Sequence, residues 1–260
     1  MRLENCAAGV SFMARVLSGK ACRAAVASGG RKVNQGRGMT EDRGAALNPL
    51  PWGVWLLVLA IAGIEMVLWA GAHGLVNWAG SAGWRAQALV AVGISPQIQH
   101  WMVETGQAPL PHLARYLGYG LVHLGPAQAA LVVVITAALG KYCAERLGSA
   151  RLILLLILAQ AIGGAVFGAL ADPGAWLIGG YPLIFALAGS YGWYAWHSAD
   201  SVRMRAQALG LVTVLVTGRL ALAAIAGGGL DWLADITALV AGLALTPLLR
   251  PGLRARLRRP

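Results

Sequence analysis

The sequence predicts an all-α membrane protein of six transmembrane helices with a long interfacial first loop. Three observations carry this. The 260 residues are 58% hydrophobic and only 12% charged, with mean hydropathy +0.64; a soluble domain averages about 45–50% apolar and about 25% charged residues. The apolar residues fall in runs of about 19–25, enough for a helix rising about 1.5 Å per residue to cross a hydrocarbon core of about 30 Å. The basic residues gather on alternate links between those runs, as an even number of crossings requires.

Taken in order, residues 1–50 form a basic segment expected to be disordered and cytoplasmic. Within it, 1–38 is rich in Gly, Ala, Ser and Arg and holds no span. The stretch MTEDRGAALNPLPWGVW from Met39 has the form of a natural start, so 1–38 is read as disordered or as an upstream-start extension. The membrane domain is placed at 51–250, with spans over 52–72, 113–140, 152–171, 175–196, 206–226 and 232–249. Gly118, Gly120 and Pro126 predict an irregular start to the second span. Residues 251–260 form a basic cytoplasmic tail expected to lie against anionic headgroups.

The first loop, of about 40 residues, is long for a helix connection. Its stretch GWRAQALVAVGISPQIQHWMVETG suits short amphipathic helices broken at Pro96, with Trp84 and Trp101 at headgroup level. His73, His100, His112 and His197 are read as interfacial or exposed.

The formal net charge is +11, which raises the question of nucleic acid. The placement answers it. Of 21 Lys and Arg residues, all but Arg85, Arg115 and Arg219 fall in segment 1–51, the links after the second and fourth spans, and the tail. The positive-inside rule then puts both termini in the cytoplasm, in a multi-pass protein of the inner, cytoplasmic membrane. The partner this charge implies is the lipid bilayer, not nucleic acid. Cys6, Cys22 and Cys143 show no CxxC or ligand spacing, so neither a disulfide nor a metal site is expected, and nothing implies a cofactor.

Five stretches carry a resemblance. Arg115-Tyr116 ends the first loop. His123 follows, with Gln128 five and Val132 nine positions on. GKYCAERLGSARL runs from Gly140 to Leu152. GGYPLIFA, from Gly179, and ADITALVAG, from Ala234, open the fourth and sixth spans. In this order and topology the chain resembles the rhomboid family of intramembrane serine proteases. That family has an Arg-aromatic pair, a HxxxxHxxxN helix, a glycine- and glutamate-containing link, a GxSGxxFG turn and an AHxxGxxxG helix. The resemblance implies a rhomboid-like six-helix bundle over about 50–250.

It also implies a Ser–His dyad, in which histidine takes the serine proton and returns it to the leaving amine, with backbone N–H groups at the turn holding the oxyanion. Here the nucleophile position holds Tyr181 and the base position Asp235. Gln128 and Val132 replace the second histidine and the asparagine. Pro182 removes a candidate oxyanion N–H. A phenol near pKa 10 and a carboxyl near 4 make a poor proton-transfer pair, so no catalytic residue is expected. A structural hydrogen bond from the Tyr181 hydroxyl to Asp235 is expected in its place, satisfying a carboxylate at membrane depth. His123, Gln128, Gly179, Gly180, Tyr181, Asp235 and Arg115 are the predicted pocket. Ser190 lies too far along its helix to act there, about 13 Å at the helical rise, and Thr237 lies on another helix face from Asp235.

Glu65 and Arg219 stand within spans. They mark either an ion path or partners inside the bundle. Small residues at three- and four-residue spacings in spans three, four and six predict close packing of those helices. The function expected is that of a rhomboid-like pseudoprotease binding transmembrane segments of client membrane proteins. The alternatives are an active rhomboid-type serine endopeptidase with atypical residues, and a small transporter using Glu65 and Arg219.

Overall fold

The computed structural model describes residues 49–76, 78–225 and 229–251. The readings of 1–38, of Cys6 and Cys22, and of the tail beyond Pro251 lie outside these residues. Among the described residues there are nine α-helices and no strand.

Helix α1 (Trp52–Ala72) coincides with the first expected span. The first loop holds α2 (Trp84–Val92), α3 (Pro96–Thr105) and α4 (Leu110–Gly118). Pro96 opens α3, because proline fits a helix start where its missing N–H is no loss. Here the second span is corrected. Residues from Leu113 belong to α4, which a 3-10 turn over Tyr119–Leu121 ends, and the spanning helix α5 runs over Pro126–Leu147. Pro126 explains the shift: as a helix-start residue it stops the helix from running back through 113–125.

Gly148 alone separates α5 from α6 (Ser149–Leu170), at φ +85, a left-handed value that glycine adopts without strain. Then come α7 (Tyr181–Ser198), α8 (Val202–Ile225) and α9 (Asp231–Leu249). Helices α1, α5, α6, α8 and α9 are long and apolar enough to cross a membrane. Helix α7 is the shortest of the six expected spans and more polar. It is also the central one, touching α5, α6, α8 and α9. Its Pro182 to Ser190 stretch is buried without a break. Small and polar side chains there meet protein, so they need not be lipid-soluble.

Helix α9 packs chiefly on α7 and α6. Glycines allow it. A Cβ on Gly163 would stand 2.6 Å from the Ala234 carbonyl oxygen. One on Gly242 would collide with the Ala186 backbone, and one on Gly189 with the Leu239 carbonyl. Small residues bring these three helices to backbone contact, as their spacing predicts. Helix α8 sits at the edge, with nearly all of its span uncovered by protein.

The first loop is docked on this core. Ile94 and Leu177 exchange backbone hydrogen bonds, both 3.0 Å. Gln99 Nε2 donates to the Ala165 carbonyl (2.9 Å), and Tyr116 donates to Gln99 Oε1 (2.6 Å). Partial burial raises the Tyr116 phenol above its ordinary value, so it serves as a neutral donor.

Candidate functional site

The turn Gly179-Gly180 delivers the chain into α7, whose second residue is Pro182. Gly179 sits at φ +112, which disfavours any side chain, and its N–H donates to the Tyr119 carbonyl (3.0 Å). A Cβ there would lie 2.6 Å from Gln128 Nε2, and one on Gly180 would lie 2.6 Å from Val132 Cγ1. The turn is thus pressed flat against the start of α5.

His123 is fully buried in the non-helical segment before α5. Its Nε2 accepts the Gly180 N–H at 3.2 Å. That bond requires a lone pair on Nε2 and so puts the proton of a neutral ring on Nδ1. Nδ1 has no partner among the described residues. The His123 carbonyl accepts from Arg85 Nη1 (2.5 Å). The same guanidinium grips Glu65 with two bonds, Nη1 to Oε2 at 3.1 Å and Nη2 to Oε1 at 2.6 Å. Gln128 Oε1 accepts the Leu124 N–H (2.9 Å), fixing the bend that opens α5.

Asp235 is 1% exposed on α9. The expected hydrogen bond from Tyr181 does not form. Arg219, from α8, takes the carboxylate instead: Nε donates to Asp235 Oδ2 at 2.5 Å and Nη2 to Asp231 Oδ2 at 2.7 Å. A charge-assisted bond is about twice as strong as a neutral one, and arginine and aspartate left unpaired at this depth would each carry a desolvation penalty of several kcal/mol. Tyr181 lays its half-buried ring below that guanidinium, 5.7 Å from centroid to carbon. Asp235 Oδ1 is buried with no hydrogen-bond partner among the described residues.

The structure thus gathers His123, Gln128, Gly179, Gly180 and Tyr181, and joins Asp235 to Tyr181 only through Arg219. Arg115 stands apart from them. Its Nη1 donates to the Val90 and Gly93 carbonyls (2.7 and 2.9 Å) and its Nε to His112 Nδ1 (3.3 Å), so it caps α2, as a cation near helix carbonyls does. Beside Tyr181 a cleft of about 370 Å³ opens between the edge helix α8 and the start of α9, with Phe167, Trp176, Arg219, Leu222 and Asp231 in its walls.

Glu65 pairs with Arg85 of the first-loop helix α2, and Arg219 with Asp231 and Asp235 of α9. Arg85 and Gln160 went unread in the sequence. Gln160 donates to the Tyr116 and Leu117 carbonyls (3.4 and 3.1 Å), and its own carbonyl accepts from Tyr119 (2.8 Å). Each carried a signal, since Gln160 is an amide in the middle of a span and Arg85 a cation on the cation-poor side.

The family model for the rhomboid domain matches residues 111–252, just over half of the chain. The chain belongs to the rhomboid family. No curated protein matches it. In this rhomboid the match takes in the turn, α7 and α9, and leaves Glu65 and Arg85 outside. Rhomboid geometry brings the Tyr181 and Asp235 positions to one region, yet no hydrogen bond joins the two side chains, and the Nε2 of His123 is occupied.

Proposed function

We propose that this rhomboid is a pseudoprotease of the inner membrane. It holds transmembrane segments of other membrane proteins against its side without cutting them. The observation that carries the reading is the pairing of Asp235 with Arg219 in place of any nucleophile. A general base must reach the proton it removes, and here the carboxylate at the base position is committed to a guanidinium. Tyr181 has no base within hydrogen-bond reach, and Pro182 supplies no N–H for an oxyanion. His123 spends its lone pair on Gly180. The chain crosses the membrane six times with both termini in the cytoplasm, a reading supported by its basic links. Clients dock where α8 is least covered, beside the cleft and the docked first loop.

The test is a reconstituted cleavage assay with single-span substrates, run beside crosslinking from the first loop. Crosslinks without cleavage are expected, unchanged in Tyr181→Phe. Cleavage that Tyr181→Phe or Asp235→Ala abolishes would sink the reading and leave an atypical endopeptidase.

A further inference from the structure

We infer that the cleft beside Tyr181 selects clients carrying a lysine or arginine near the end of the span opposite the basic links, and that Asp231 is the residue that takes it. The inference rests on the client-binding reading above and names the chemistry of the client.

Its basis is a charge imbalance. One guanidinium, Arg219, serves two carboxylates. The two bonds are unequal. Arg219 and Asp235 are buried together, with side chains 8% and 1% exposed. Asp231 is bound from the edge of the same guanidinium and is 49% exposed, in the cleft wall. Asp235 Oδ1 is buried and has no hydrogen-bond partner among the described residues. With both acids ionised, two carboxylates face one guanidinium, a formal excess of one negative charge. Both acids lie in the first turns of α9, whose N-terminus offers about half a positive charge. That offsets part of the excess, not the whole. In a site bounded by lipid the remainder attracts a cation more strongly than it would in water.

The rest of the cleft suits the same occupant. Trp176 lines the cleft with an aromatic side chain, a kind of group that attracts cations, and the Tyr181 ring lies beside Arg219. Phe167 and Leu222 offer apolar contact for a methylene stem. Leu222 is 51% exposed and Trp176 39%, so both are reachable from the side. Asp231 begins α9, at the membrane end far from the basic links and tail. A client lysine within a turn or two of that interface can extend its charged end to it.

The experiment uses the full chain in vesicles and three single-span peptides differing at one position near that end: Lys, Leu or Glu. Affinity is read by energy transfer. The Lys peptide is expected to bind about tenfold more tightly than the Leu peptide, the effect of about 1.4 kcal/mol, and the Glu peptide most weakly. Asp231→Asn is expected to erase the Lys preference while leaving the Leu peptide's affinity in place. Because Asp231 is half exposed, this variant keeps the buried pair and the fold. A Leu peptide that binds as well as the Lys peptide overturns the inference and spares the client reading. So does a Lys preference that survives in Asp231→Asn. Binding of none of the three overturns both.

Discussion

At the residue scale, the decisive feature is which group satisfies Asp235. A carboxylate in this setting needs a partner, and the nearest cation beats the nearest phenol. Two substitutions separate those roles. Arg219→Leu leaves Asp235 buried and unpaired, and should cost about 3–5 kcal/mol, read as a large fall in unfolding temperature in detergent. Tyr181→Phe removes a hydroxyl that Asp235 does not use, and the unfolding temperature should stay close to wild type. The double variant Arg219→Leu with Asp235→Leu should recover most of the loss, since replacing both partners of a buried pair by apolar groups is often neutral. A Tyr181→Phe loss as large as that of Arg219→Leu would restore the tyrosine–aspartate bond and refute the pairing described.

At the element scale, α6, α7 and α9 meet by backbone contact, while α8 packs chiefly on α7 and reaches α9 through Arg219. Gly242→Ala drives a methyl group into the Ala186 backbone, which cannot rotate away as a side chain could. We expect a loss of about 1–3 kcal/mol. Gly63→Ala is the control, because nothing lies within 4 Å of its added methyl group, and there a small gain is expected from helix propensity. The first loop is a second element-scale device. Arg85 ties α2 to Glu65 of α1 and to the His123 carbonyl. Alanine at Glu65 and at Arg85 should therefore be non-additive, with a coupling of about 0.5–3 kcal/mol, measured by a double-mutant cycle on unfolding. Additive losses would mean that the loop does not rest on this pair.

At the scale of the whole molecule, the proposed orientation rests on the separation of basic from cation-poor links. Single cysteines on a background free of Cys6, Cys22 and Cys143 test it in intact cells. A membrane-impermeant thiol reagent added outside should label position 101, in the exposed middle of the first loop, and should miss position 203, in the first turn of α8. The reverse pattern would invert the topology. The proposed orientation puts the cleft on the outward side, so the labelling test also bears on the proposed docking of charged clients.

Much of this was legible in the residues. Hydropathy runs placed α1 to the residue and α9 to within one, because an apolar helix facing lipid must be apolar along its whole length. Small-residue spacing announced the α6–α7–α9 contacts, since only Gly and Ala admit backbones so close. The turn at Gly179-Gly180 and the missing serine and histidine were visible as substitutions in a family pattern. The start of α5 was blurred, because the apolar stretch through 113–125 serves a docked loop as well as a span. What the sequence by itself determined is the helical membrane class and the family scaffold. Only the tertiary structure decided who pairs with whom. Arg219 and Asp235 are sixteen residues apart on different helices, and Arg85 is twenty from Glu65. No periodicity links such residues. Pairing is set by which charges the folded helices bring together where water cannot reach.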